Sequence, residues 1–361
     1  MKLLSILMLS LVSLLQSNHT VELAFVGDAM QHAPQITAAQ QADGTYDYSP
    51  CFQYLTQDIS GADLAVVNLE CPLGGKPYTG YPCFSAPDSY AQQLRQVGFD
   101  LFLTANNHCL DRRDKGLVRT CHILDSLGIP HIGTYPNQQD REKRIPYIVN
   151  VKGMKIAFLD YTYGTNGIPI QGDVIVDFID QQRIADDIAL ARERGAHAIC
   201  VNLHWGLEYQ LKPVASQRDL ADWLVTQGVD LIIGGHPHVV EPMEMRYSKE
   251  FDKNVLIVYS MGNFISNMSK RYTDCGILLD FTLKERASGG FDVTDVKVMP
   301  TFCWRQPDVI QTLPALDFYD APPEGMTDAI WQRLREGVDT LRKLIPDFPM
   351  IGVTAQPAAS Q

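Results

Sequence analysis

Short apolar runs bounded by Gly, Pro, Asn and Asp recur along this chain, and between several of them lie longer stretches with apolar residues three and four apart. Runs of strand length that keep giving way to a helical period restrict a sequence to α/β architectures, in which strands build a sheet and each helix lays one face on it. Residues 21–26, 64–67, 101–104, 155–160, 198–203, 231–233 and 255–259 read as strands, and 89–97, 116–127, 181–194 and 216–227 as helices. After Gly276 the pattern changes to two strand-like runs, 277–283 and 291–299, which read as a hairpin closing a sheet. A helix over about 327–344 carries Ile330, Leu334, Val338, Leu341 and Ile345 on one face. The Ala-, Pro- and Gln-rich end reads as a frayed tail.

Five of the strands finish in residues that can bind a metal or move a proton. They end in Gly27-Asp28, Asn68-Leu69-Glu70, Asn106-Asn107-His108, His204-Trp205 and His236-Pro237-His238. In α/β sheets, ligands sit in the crevice at the carboxyl ends of the strands. Singly, each of these features is ordinary: Gly-Asp is a common turn, and a lone His near a strand end is usually a satisfied polar group. Turns have no need of four histidines and two carboxylates together. An oxygen and imidazole set without thiolate points to a divalent Zn, Mn or Fe, as one ion or two. His236 and His238, either side of Pro237, can face one ion or two neighbouring ones. Glu208 reads either as a support for His204 or as a solvated carboxylate, and Asn263 either as an amide presented to substrate or as a Gly-Asn turn. Trp205 reads as core packing, and Tyr209 as pocket wall or core. Gly234 and Gly235 are not a phosphate loop, because no Lys-Ser or Lys-Thr follows them.

The formal charge of −12 excludes a general nucleic-acid binder and an anionic-membrane binder, since those surfaces demand a basic excess. An acidic ligand needs a local site, and Arg112, Arg113 and Lys115 form the basic cluster beside Asn107-His108. Lys2 followed by an apolar stretch to Leu15 reads as a signal peptide over residues 1–17, or as an uncleaved N-terminal anchor, because Leu15 makes a poor cleavage point after Ser17. The expected location is therefore exported, periplasmic or at the cell surface, with membrane contact only through that segment. Eight cysteines in an exported chain permit up to four disulfides, Cys71–Cys83 among them, and several read equally as small buried apolar groups.

The order Asp, acidic residue, Asn-His, His, His-x-His resembles the calcineurin-like metallophosphoesterases. The longer stretches GDAM, NLECPLGG, NNHCLDRRDKGL, HWGLEY, GGHPHVVEP and YSMGNF, from about residue 21 to 264, resemble the poly-γ-glutamate capsule biosynthesis protein CapA family more closely. That resemblance implies a metallophosphatase-like four-layer α/β/β/α sandwich, two sheets face to face with helices outside. It implies a domain over 21–285, with 286–361 supplying a strand and helix that complete it. It also implies that Asp28 and His238 bind a first metal, that Glu70 stands where a bridging Asp is found, and that Asn107, His204 and His236 bind a second. His108 would protonate a leaving group. Asp111 would orient that imidazole, or cap the helix that follows. Arg112, Arg113, Glu208 and Asn263 would meet the substrate.

Two departures bear on the first metal. Met30 stands where the phosphoesterases keep a His, and Glu70 is longer by a methylene than the usual Asp. If the chain turns helical after Asp28, His32 lies one turn on and takes over the missing ligand duty. Within the CapA-like pattern, Arg113 replaces a Gly and Glu241 a Gln. The resemblance implies a metal-dependent hydrolase-like protein of capsule or cell-envelope polymer synthesis or processing, acting on a phosphoester or a γ-glutamyl amide. The expected partners are an envelope polymer or small anionic substrate and the capsule synthesis machinery. The alternatives are a non-catalytic scaffold or polymer-binding component, and a nucleotidase sharing the same core.

Overall fold

The computed structural model describes residues 19–286 and 290–353. The signal or anchor segment at 1–17 and the end of the tail lie outside the described residues. Two sheets face each other. The first runs in the order Ile310–Pro314, Phe291–Arg305, Cys275–Glu285, Thr20–Ala29, Leu64–Leu69, Leu101–Leu103, His131–Ile132, and Asn263–Ile265 pairs beside Thr20–Ala29. The second runs Met243–Ser248, Lys253–Val258, Leu231–Gly235, Ala198–His204, Met154–Thr162, Tyr147–Val151. In both sheets the central strands are parallel, so their carboxyl ends collect along one edge of each.

The side-chain period of two explains the layers. Along Thr20–Ala29, Val21, Leu23 and Phe25 face the core between the sheets, while Ala24 and Val26 face a second core on the outside. Phe25 meets Phe281 of its own sheet at 5.8 Å and Phe158 of the other at 6.4 Å. The outer core of the first sheet is covered by helices Thr56–Gly61 and Asp88–Val97, which contribute Ile59, Tyr90, Leu94 and Val97. Helices Gln181–Glu193 and Ala215–Thr226 cover the second sheet through Ile184, Ile188, Leu220 and Leu224. The result is helix, sheet, sheet, helix.

The C-terminal hairpin pairs antiparallel, Cys275–Glu285 with Phe291–Arg305, and extends the first sheet. Helix Asp328–Leu344 then places Leu341 on the central core and Leu334 and Val338 on a smaller cluster with Trp304 and Leu313.

All eight cysteines are free. The Cys71–Cys83 bridge does not form: Cys71 is buried, whereas Cys83 is exposed with its thiol on the Asp111 carbonyl. Backbone pairing of Thr79 with Ser85 closes that loop instead.

Candidate metal centre

Asp28 is the last residue but one of the first strand, in register with Asn68 on one side and Asn263 on the other. Gly27 lets this happen. A Cβ there would lie 1.9 Å from the Gly262 carbonyl oxygen, the same atom that accepts the Asp28 N–H at 3.0 Å. Gly235 plays the same part from the second sheet, because a Cβ on it would sit 2.7 Å from Asp28 Oδ1. The two strand ends can therefore approach across the gap between the sheets. The chain leaving Gly235 then turns through His236 at φ 97° and His238 at φ 57°. Left-handed backbone at non-Gly residues costs about 1–3 kcal/mol each and concentrates at functional sites.

These elements bring Asp28, Glu70, His204, His236 and His238 together, all buried. Ligand atoms of Asp28, Glu70 and His204 lie within 4.8 Å of one another, and so do those of Glu70, His236 and His238. Glu70 belongs to both groups. Its Oε1 is 3.6 Å from His204 Nε2 and 3.8 Å from His238 Nε2. The His204 and His236 rings are 4.8 Å apart.

A ring of fixed bonds holds the donors in place. Asn68 donates to Asp28 Oδ1 at 2.7 Å, and the His236 backbone N–H donates to Asp28 Oδ2 at 3.1 Å. Asn106 in turn donates to Asn68 Oδ1 at 3.1 Å and to the Leu69 carbonyl at 2.9 Å. His204 Nε2 meets Asn107 Oδ1 at 2.9 Å, and Asn107 donates its own amide to Asn166 at 3.2 Å. The loop carrying Asn106 to His108 is pinned from the second sheet, where buried Asp160 Oδ2 accepts the Thr104 and Ala105 N–H groups at 3.0 and 2.9 Å.

Electrostatics follow from burial. Burial, reinforced by His236, pulls the His204 imidazole well below its ordinary value, and burial with His238 pulls His236 down to about 4. Both rings are thus neutral ligands at neutral pH. Burial also pushes the Asp28 carboxyl up, but hydrogen bonding with His238, the field of His204 and His238, and the Asn68 amide more than reverse it, leaving Asp28 below the usual range. Glu70 has no such help: burial and the neighbouring Asp28 drive it well above its ordinary value.

Neither oxygen of Glu70 and not Nδ1 of His236 has a hydrogen-bond partner among the described residues. A buried carboxylate without a donor is expensive, at least several kcal/mol if ionised. The orphaned oxygens lie among three imidazoles and one further carboxylate, so one divalent cation or two would complete their bonding. The donor set fits the metal that the sequence pattern implies.

Beside the cage, His108 Nδ1 and Asp111 Oδ2 are 2.8 Å apart, and the same oxygen accepts the Phe84 N–H at 2.8 Å. The helix that follows is Arg113–Ser126 with Arg112 at its N-cap, so Asp111 does not cap it. The Phe84 ring packs edge-on to His108 at 4.6 Å. Trp205 is buried, its indole N–H donating to the Tyr259 carbonyl at 2.9 Å. Tyr209 stands nearer the opening, 6.3 Å from His238, with Lys270 Nζ 3.5 Å from its ring centre.

Of the other expected site residues, Asn263 bonds a member of the cage, and the rest stand around it. His32 does not join either ligand group. Asp28 is still in the strand, and the helix begins only at Ala33, so the two residues are not one helical turn apart. His32 Nδ1 accepts the Asn267 N–H at 3.3 Å, and its ring packs on Phe84 at 5.2 Å. Arg112 lays its stem against Gly74 and Gly116, and Arg113 is exposed with a left-handed φ of 57°; neither bonds a residue of the cage. Glu208 is exposed and makes no hydrogen bond with His204. Asn263 is turned inward, its oxygen 3.0 Å from His238 Nδ1 and its amide donating to the Thr273 carbonyl at 2.8 Å, so it orients an imidazole rather than facing a ligand. Tyr163 is the residue that sequence reasoning passed over: it follows the strand Met154–Thr162, and its ring lies 4.5 Å from that of His236.

The family described as bacterial capsule synthesis protein PGA_cap matches residues 22–268. The chain is 26% identical over 299 residues to the PGA biosynthesis protein CapA of Bacillus subtilis, covering 78% of this chain and 73% of that one. It is 25% identical over 302 residues to the capsule biosynthesis protein CapA of Bacillus anthracis, covering 78% and 69%. Among solved structures it resembles a Staphylococcus aureus protein assigned as a 5'-nucleotidase, with a TM-score of 0.50, 15% identity, 89% of this chain covered and 58% of that one. That likeness shows a shared metallophosphatase-like fold.

Proposed function

The chain belongs to the bacterial capsule synthesis protein PGA_cap family, and from that premise we propose that it is an exported, metal-dependent hydrolase-like protein of poly-γ-glutamate capsule or envelope polymer synthesis or processing. The observation that carries this reading is Glu70, a buried carboxylate with both oxygens unpartnered, shared by two groups of metal-ligating atoms. Asp28, Glu70, His204, His236 and His238 would hold one divalent cation or two, with Asn107 beside His204. When bound, the cation supplies Lewis acidity to a substrate oxygen.

The chain's own residues do the rest. With Nδ1 of His108 directed at Asp111, its Nε2 is the nitrogen left to give a proton to a leaving group. Asp111 accepts the Nδ1 proton and holds the ring, so Nε2 donates from the doubly protonated imidazole, and the Phe84 backbone N–H fixes Asp111. The Phe84 ring limits how far the imidazole can rotate. Asn68 and the His236 N–H hold the Asp28 carboxylate in one orientation, so the site does not have to reorganise when charge develops.

A second reading, a polymer-binding component without turnover, draws on Met30. This residue stands two positions after Asp28, is buried, and offers no ligand for a hard or borderline cation. The two readings separate in one set of measurements. Elemental analysis of the purified protein and of His236→Ala should show metal that the variant largely loses, together with activity against generic phosphodiesters or γ-glutamyl peptides. Negligible metal in both proteins sinks the proposal, and metal without turnover on either substrate class supports the second reading. Export rests on the residues 1–17 pattern. Among the described residues no helix is long and apolar enough to cross a membrane. Fractionation of cells with N-terminal sequencing of the recovered protein tests it.

A further inference from the structure

The segment leaving the metal centre turns its far side onto a separate cavity of about 90 Å³. Gln31 lines it. This side chain is fully buried, and neither its carboxamide nitrogen nor its oxygen has a hydrogen-bond partner among the described residues. Tyr48, also buried, lines the same space, and its hydroxyl is equally unpartnered. Three buried polar atoms without partners around one space mark a place where something else completes the bonding.

The remaining walls narrow what that is. Gln35 is already engaged, its amide donating to the Met30 carbonyl at 2.9 Å and its oxygen accepting the His32 N–H at 2.8 Å. The Tyr90 hydroxyl donates to the same Met30 carbonyl at 3.1 Å. Asp47 and Asp308 line the cavity from exposed positions, and no Lys, Arg or His lines it. A space of about 90 Å³ suits a small molecule rather than a nucleotide or a sugar chain.

We propose that this cavity binds a small zwitterion, with a primary ammonium group and a carboxylate a few bonds apart, as in a free α-amino acid. The Gln31 N–H groups and the Tyr48 O–H are donors, and a carboxylate accepts from both. The Gln31 oxygen and the two aspartates accept from an ammonium group. A simple cation leaves the Gln31 amide nitrogen without an acceptor, and a simple anion meets two aspartates with no positive charge between them. The site is separate from the metal cage, because none of its lining residues supplies a metal-ligating atom.

Isothermal titration calorimetry of the purified protein with glycine and with alanine tests this, with methylammonium and acetate as one-ended controls. Saturable millimolar or tighter binding of the amino acids is expected, at least tenfold weaker for either control. Gln31→Leu should raise the amino-acid Kd about tenfold or more, while His236→Ala, which alters the metal cage, should leave it unchanged. Should the Leu variant fail to fold, Tyr48→Phe carries the test with a loss of several-fold. The proposal is overturned by equal binding of a one-ended control, by no saturable binding at all, which would mark a cavity filled by water only, or by binding lost in His236→Ala and kept in Gln31→Leu.

Discussion

Glu241 offers the sharpest test of how the region around the cage is held. It follows His238 by three residues, is fully buried, and accepts from the Gln217 amide at 2.7 Å through Oε2, while Oε1 has no partner among the described residues. Burial raises its carboxyl to about 7 against the Gln217 bond, from an ordinary 4.5. The folded state therefore holds the proton more tightly than the unfolded chain. Stability is fully present below pH 4.5 and falls as pH rises through 7. At 1.36 kcal/mol per pH unit, that window is worth about 3 kcal/mol. Glu241→Gln removes the titration and keeps an oxygen for Gln217. Urea unfolding of both proteins from pH 4.5 to 8.5 should give stabilities that diverge by about 3 kcal/mol, the variant gaining as the pH climbs. Other titrating groups cancel in the difference. Parallel profiles, within about 0.5 kcal/mol across the range, would refute a buried, proton-holding Glu241.

Three further expectations follow from the geometry. His108→Ala should lower turnover on a confirmed substrate by about a hundredfold or more while leaving metal content unchanged, as measured by kinetics beside elemental analysis. His32→Ala should leave metal content within error of wild type, because that imidazole faces Phe84 and Asn267 rather than the cage. Phe25→Ala should cost about 3–5 kcal/mol in denaturant unfolding, since the ring lies between the two sheets against Phe158 and Phe281.

The strands that carry the cage were legible because they are apolar on both faces. Leu64–Leu69 and Ala198–His204 are buried at every position, and such runs stand out without any alternation. The edge strands did not stand out. Met243–Ser248 mixes buried and exposed residues and Tyr147–Val151 has no fully buried one, and a sequence window sees them as loop. Helices Ala33–Ala39 and Gln138–Arg144 span seven residues each, too short for a period to register. The cage was legible for the same reason as its strands, since the polar residues begin where the apolar runs stop. Tyr163 was missed through a boundary. The strand reads as ending at Asp160 but continues to Thr162, and carrying it that far puts Tyr163 at a strand end like the others. The His32 expectation failed by the same kind of shift, because it placed the helix after Asp28 and the strand runs on to Ala29.

The two departures from the phosphoesterase pattern sit on neighbouring backbones. Glu70 N–H donates to the Ala29 carbonyl at 3.1 Å, and Met30 is the next residue. Met30 belongs to the outer apolar cluster with Phe84, Tyr90 and Ile265, and its carbonyl is held by Gln35 and Tyr90. An imidazole at that position would have to leave the cluster to reach a cation, and a thioether has no reason to. The donor lost there has to be made up on the cage side. A carboxylate with one extra methylene extends further from the same backbone anchor, and Glu70 reaches to within 4 Å of both His204 and His238 with two free oxygens to offer. The loss of a ligand at Met30 and the longer arm at Glu70 therefore act in opposite directions on the same site, so the pattern's missing His does not by itself remove the capacity to hold a cation.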